Sequence, residues 1–263
     1  IVETDHVSRI GILDNGSVAC WGGNNRGQLG YGGEQDYTEE GTIRLVSLPE
    51  NRSAVAIDAW GDHTCAVLDD GSVSCWGRQS RGELGNGSVP DGSLVPVGAT
   101  AIEGRTFVDV SSGYRHTCAL MDDGSVSCWG SNNYGQLGKE GHTSGGYSFP
   151  REVSSLGVGR SAIGVALGGH HTCANLEFEA FPGVIISQSI SCWGFNFYGQ
   201  LGDGSEINRN TPFQIQVRDN SIIGYIIALF YVMIYSWAFV KIKPWITPQR
   251  RIETFEEKRE TKR

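Results

Sequence analysis

Short alternations of apolar and polar residues run along most of the chain. VAIDAW from Val55, CAVL from Cys65, SVSCWG from Ser72, LVPVGA from Leu94 and FVDVSS from Phe107 place apolar side chains at alternate positions. That is the period of a half-buried strand. No stretch before residue 220 has the period of an amphipathic helix. Glycine, 37 of 263 residues, recurs between the strand-like runs where tight loops are needed. The pattern therefore predicts an all-β domain of many short strands.

The runs repeat. HTCAVLDDGSVSCWG at 63–77 returns as HTCALMDDGSVSCWG at 116–130. Looser forms are ILDNGSVACWG before the pair and HTCANLEFEAFPGVIISQSISCWG after it. Trp21, Trp76, Trp129 and Trp193 mark four units spaced by 55, 53 and 64 residues, and nine extra residues between Cys173 and Cys192 account for the last interval. Each Cys-Trp-Gly is followed by a second phrase: GNNRGQLG from Gly23, RQSRGELG from Arg78, SNNYGQLG from Ser131 and FNFYGQLG from Phe195. Units of this length holding four strands suit a propeller blade, with Trp21, Trp76, Trp129, Trp193 and Leu29, Leu84, Leu137, Leu201 packed between neighbouring blades.

Register follows from the turns. In LDDGS a type I turn over Asp69 and Asp70, then Gly71 in the left-handed region, makes a three-residue hairpin loop. Counting outward sets Cys65 opposite Cys75, and the same count sets Cys118 opposite Cys128. Cross-strand partners lie close enough for a disulfide. Cys173 and Cys192 close the base of a lengthened hairpin. In the first unit Ile10 falls opposite Cys20, which is left as a free thiol expected to react alone with a thiol reagent. A nine-residue gap across a hairpin does not suit zinc, which favours short Cys-x-x-Cys spacings.

On GSVSCWGRQSRGELG, GSVSCWGSNNYGQLG and the His-Thr-Cys strand before each hairpin, residues 1–217 resemble the regulator-of-chromosome-condensation repeat family. Members form seven-bladed propellers and include a nuclear guanine-nucleotide exchange factor, a plant ultraviolet-B photoreceptor and a secreted bacterial β-lactamase inhibitor. The resemblance thus implies binding surfaces instead of one activity. The chain departs from the pattern in having four units, paired cysteines and an apolar C-terminal segment. Ile1 aligns with Asp109, so the first unit is expected to lack its opening strand, while TPFQIQV at 211–217 offers one after the last unit. Three architectures stay open: a four-bladed ring closed by that strand, an open arc, or part of a seven-bladed ring.

After a short linker at 218–221, IIGYIIALFYVMIYSWAFV at 222–240 has nineteen residues without a charge. As a helix it spans about 28 Å, enough to cross the hydrocarbon of a bilayer. Tyr225, Tyr231, Tyr235 and Trp237 spread through it and suit packing against other helices. Residues 241–263 carry net +4 of a chain total of −8, leaving −12 for residues 1–240. Lys241, Lys243, Arg250 and Arg251 put the tail in the cytoplasm, stroma or matrix by the positive-inside tendency. The repeats then lie on the extracytoplasmic or lumenal side, where thiols oxidise.

No catalytic constellation emerges. His63, His116 and His171 recur at matching positions, with Ser8 in the first unit, and are expected to hydrogen-bond backbone within separate blades. The Asp-Asp-Gly turns lack the further ligands of a calcium loop. Neither a phosphate-binding Gly-Lys-Ser/Thr loop nor a Gly-x-Ser-x-Gly elbow is present. An acidic ectodomain also argues against nucleic acid. The expectation is a single-pass membrane protein without enzymatic activity, cofactor or metal. Its propeller would be an accessory or stabilising subunit docked on integral membrane proteins of a larger complex, in contact with lipid. The alternative is a surface receptor or adhesion ectodomain for a soluble ligand. Glycans at the Asn-x-Ser triplets of Asn15, Asn51 and Asn86 would favour that alternative.

Overall fold

The hairpin loops set the architecture. In a computed structural model describing residues 2–3, 8–33, 42–49, 51–88, 92–141, 145–181 and 184–215, Gly16, Gly71 and Gly124 have φ of 78°, 75° and 76°. Each of their amides donates to the carbonyl three residues back, at 2.8, 2.9 and 3.0 Å. Asn15, Asp70 and Asp123 accept from the amide two residues on, at 3.0, 3.0 and 2.9 Å, so the turn residues brace their own loops.

Four antiparallel meanders result among the described residues, each in simple chain order. Blade 1 holds β1 (Val2–Glu3), β2 (Arg9–Ile12), β3 (Val18–Trp21) and β4 (Arg44–Leu45). Blade 2 holds β5 (Ala54–Trp60), β6 (His63–Leu68), β7 (Val73–Arg78) and β8 (Gly92–Gly98). Blade 3 holds β9 (Phe107–Ser112), β10 (His116–Met121), β11 (Val126–Ser131) and β12 (Gly146–Glu152). Blade 4 holds β13 (Arg160–Leu167), β14 (His171–Phe181), β15 (Val184–Gly194) and β16 (Arg209–Gln214). The registers are Cys65↔Cys75, Cys118↔Cys128, Cys173↔Cys192 and Ile10↔Cys20. Three disulfides are formed, each with Cα atoms 4.1 Å apart, and Cys20 is free.

Cores lie between blades, because the sheets of blades 2 and 3 bury both faces. Ile10, Val18 and Leu29 meet Ala66 and Trp76 across the first junction. The Cys65–Cys75 bridge and Val67 meet Ala119 and Trp129 across the second, and Cys118–Cys128 with Leu137 meet Ala174 and Trp193 across the third. A hydrogen bond recurs at each junction: Ala54, Phe107 and Ala162 donate their amides to the hairpin carbonyls of Gly16, Gly71 and Gly124 at 2.9, 2.9 and 2.8 Å. The first strands β5, β9 and β13 pack on one another, marking them as the inner edge.

Two expectations about the ends are corrected. The first unit has an opening strand, since Val2 and Glu3 pair with Ile10 and Arg9. The 211–217 segment does not complete the first blade either: β16 pairs with β15, placing Phe213 beside Cys192 as the outer strand of blade 4. Direct continuation from β15 through one loop makes that neighbour the nearest edge. Ring closure by strand exchange is therefore not what this sheet order does. The chain separates into compact units at Ile1–Gln216 and Val217–Arg263. The second unit, with the 222–240 segment and Lys241, Lys243, Arg250 and Arg251, lies outside the described residues, as do residues 218–221. Among the described residues, no helix is long and apolar enough to cross a membrane.

Candidate interaction surface

The phrase after each Cys-Trp-Gly is a loop tied by its own side chains. Asn24, Asn132 and Asn196 accept from the amides of Leu29, Leu137 and Leu201 at 3.0, 2.9 and 2.9 Å. Gln28, Gln136 and Gln200 accept from the amides of Arg26, Tyr134 and Tyr198, each at 2.9 Å. Glu83 does the same for Arg81 in blade 2, at 2.6 Å, although burial pushes its carboxyl pKa up.

Each loop then receives the next blade. The indoles of Trp76, Trp129 and Trp193 donate to the carbonyls of Gln28, Glu83 and Gln136 at 2.9, 2.7 and 2.9 Å. The hydroxyls of Thr64, Thr117 and Thr172 donate to the same three carbonyls at 2.8, 3.0 and 2.9 Å. The indoles of Trp76, Trp129 and Trp193 press close on Gly30, Gly85 and Gly138; a Cβ at Gly85 would sit 2.8 Å from Trp129 Nε1. These three tryptophans are fully buried, as are Leu29, Leu84, Leu137 and Leu201. Trp21 departs from the expected core role. It is half-buried, because no blade precedes it among the described residues.

His63 and His116 each reach a threonine side chain. His63 Nε2 lies 2.9 Å from Thr117 Oγ1 and His116 Nε2 lies 3.0 Å from Thr172 Oγ1, each reaching into the following blade. The threonine proton is already committed to a carbonyl, so the histidine must donate and Nε2 carries its proton. Burial pushes the pKa of His63 down to about 4 despite Asp62, and that of His116 down to about 3 with further lowering from His63, His170 and His171. Both are neutral struts. In blade 1 Ser8 donates instead to Gly23 of its own blade at 2.7 Å. Cys20 is fully buried, and desolvation raises its thiol pKa to about 12 against the pull of Arg44. This corrects the expectation of a reactive thiol: burial denies both access and thiolate. Among the described residues no cluster of three or more His, Cys, Asp or Glu could hold a metal.

The surface best suited to recognition lies where the turns between first and second strands meet the loops between third and fourth. In an antiparallel meander these share one end, opposite the hairpins. There blades 3 and 4 assemble an aromatic patch. Tyr134 packs on His170 and Phe195 at centroid distances of 5.1 and 4.9 Å, and Tyr114 meets His170 edge-on at 5.5 Å. Phe197 stacks on Phe195 at 6.3 Å and meets Tyr198 at 5.3 Å. The Arg115 guanidinium sits 5.1 Å from the Tyr114 ring. Phe197 is 62% exposed and Tyr198 81%. Burial, then Arg115 and His171, hold the His170 pKa below its ordinary value, so the patch is neutral apart from Arg115. Below it Asp203 is anchored against Arg209 Nε at 2.7 Å. Burial raises its pKa, but hydrogen bonds from Ser205, Arg209 and Asn196 outweigh that and hold the carboxylate ionised. In the sequence, the only local signal of this patch is the aromatic content of FNFYGQLG and SNNYGQLG.

Disulfide-pinned meanders joined by tryptophan-to-carbonyl bonds define a β-propeller repeat. The Regulator of chromosome condensation (RCC1) repeat models match residues 55–83 and 107–136 in one form, and 70–120, 123–174 and 190–227 in another. The chain belongs to this family. It is 33% identical over 210 residues to the Ultraviolet-B receptor UVR8 of Arabidopsis thaliana, a match covering 80% of this chain and 44% of the receptor. It is 35% identical over 202 residues to Probable E3 ubiquitin-protein ligase HERC4 of Rattus norvegicus, covering 76% of this chain and 18% of that protein. The crystal structure of human WBSCR16 superposes with a TM-score of 0.66 at 20% identity, over 80% of this chain and 51% of that one. Prp20p from Saccharomyces cerevisiae gives 0.65 at 19% identity, over 80% and 49%. The chain thus spans about half or less of each relative's length, and the two structures speak to fold alone.

Proposed function

We propose that this chain is a non-enzymatic binding protein, its RCC1 repeats held on the extracytoplasmic face of a membrane by a single span at 222–240. There it docks as an accessory subunit on integral proteins of a larger complex. The observation that carries the reading is the exposed aromatic patch of Tyr134, Phe195, Phe197 and Tyr198, which presents rigid apolar area with polar edges, the composition of interface hot spots. Three disulfides support an oxidising compartment. Prp20p is described as binding Gsp1p and histones, but a shared fold does not carry those partners here.

Purification from native membranes through a tag at Arg263 tests this. A defined membrane partner should co-purify with the unaltered chain and be lost with Phe197→Ala/Tyr198→Ala, whose side chains face solvent and leave the fold intact. Isolation as a lone monomer in mild detergent would reject the reading. The receptor alternative draws on Asn15 and Asn51, both exposed within Asn-x-Ser triplets. Glycans at these positions, with repeats cleaved by protease added outside intact cells, would favour it.

A further inference from the structure

The fourth strands β4, β8, β12 and β16 are the outer rims of their blades, and three of them are blunted in the same way. Cys75, Cys128 and Cys192 face Val97, Arg151 and Phe213. The residue before each of these is a proline, Pro96, Pro150 and Pro212, and the residue after is Gly98, Glu152 or Gln214. Proline on an edge strand removes a donor that a further strand would need, and glycine and glutamate pair poorly. Blade 1 breaks this rule. There Cys20 faces Arg44, and the matching neighbours are Ile43 and Leu45, exposed by 63% and 60%.

These two residues also direct their backbone outward. The Val46 amide donates to the Val18 carbonyl at 2.9 Å, as Ala99, Val153 and Ile215 donate to Val73, Val126 and Ile190 at 2.9, 2.9 and 2.8 Å, so the four rims share one register. Bonding groups alternate sides along an antiparallel strand. With Arg44 and Val46 bonded toward β3, Ile43 and Leu45 turn both N–H and C=O away from the sheet. Arg44, between them in the chain, is exposed and lies 5.9 Å over the Tyr31 ring, and no carboxylate pairs with it among the described residues. We infer that the rim of blade 1 is a strand-addition site. It takes a short extended segment of another protein, with apolar side chains at alternate positions beside Ile43 and Leu45 and a carboxylate between them opposite Arg44. Main-chain bonds supply the affinity and Arg44 the selectivity. The site lies apart from the aromatic patch of blades 3 and 4 and does not depend on it.

The isotope-labelled full chain, titrated with the acetylated and amidated peptide Ser-Thr-Val-Glu-Val-Thr-Ser and followed by amide shifts and hydrogen exchange, tests this. The amides of Ile43 and Leu45 should shift and exchange more slowly with peptide present. Ile43→Pro installs the residue that the other three rims carry at this register, so it should keep the fold and weaken binding about tenfold. Arg44→Glu should reverse the preference between this peptide and its lysine-centred counterpart. Pro96→Ile/Gly98→Leu should give blade 2 a second site, since a Cβ at residue 98 meets no atom within 4 Å. Binding that survives Ile43→Pro, unchanged exchange at 43 and 45, or no gain at blade 2 would overturn the inference. So would loss of binding in Phe197→Ala/Tyr198→Ala, which would move the peptide to the aromatic patch. Protection of 43 and 45 that rises with protein concentration in the absence of peptide would assign the rim to a second copy of the chain, again overturning it.

Discussion

Replacing Thr117 by Val tests the physical account of the blade junction. The side chains have nearly the same shape, so packing is preserved while the hydroxyl is lost. Two bonds go with it: the 3.0 Å donation to the Glu83 carbonyl and the 2.9 Å acceptance from His63 Nε2. Glu83 keeps its second donor, Trp129 at 2.7 Å, but His63, only 1% exposed, keeps a proton with nowhere to put it. The lost bond costs about 1 kcal/mol and the orphaned donor ~1–3 more, so the variant should lose ~2–4 kcal/mol. Thr64→Val is the internal control. Thr64 also donates to a carbonyl that retains a tryptophan, Gln28 with Trp76, but blade 1 has Ser8 where a histidine would stand. Its loss should be about 1 kcal/mol. Urea midpoints under non-reducing conditions, followed by tryptophan fluorescence, would compare the two. Equal losses would refute the proton assignment and the claim that the histidine link matters.

Acid should act through the same histidines. Above pH 6.5 His63 and His116 are neutral in both folded and unfolded chains. Below it the unfolded chain takes up protons that the folded one refuses until about 4 and about 3, so stability falls as pH drops through that window. His63 alone should cost roughly 3 kcal/mol by pH 4, and His63→Gln should flatten that part of the urea-midpoint profile. Gly85→Ala, at φ 69° against Trp129, should cost at least ~2 kcal/mol, whereas Gly202→Ala, at φ 67° with its nearest neighbour 3.7 Å away, should cost only about 1. Thermal melts of the two variants would separate strain from clash. Cys20 should resist thiol reagents at neutral pH in the folded chain and react fully in urea without reductant; rapid labelling of the folded chain would contradict its burial.

Much of this molecule is written locally. A Gly-ended three-residue loop has one register, so Asp69, Asp70 and Gly71 pair Cys65 with Cys75 as soon as the hairpin forms, and they leave Cys20 opposite Ile10. The number of units and the recurrence of Trp, Leu and Gly are also visible without coordinates, because each blade repeats the same local problem. What faces what across a junction is a different matter. The histidine-to-threonine links join residues 54 and 56 apart, and the aromatic patch joins Tyr114 to Phe197 through rings in four separate turns. No spacing rule announces such pairs, since they depend on the rotation between blades. The fates of Trp21 and Cys20 were settled in the same way. Burial is a property of neighbours, and only the packed sheets determine that a thiol is sealed in while Trp21, with no blade before it among the described residues, keeps one face open.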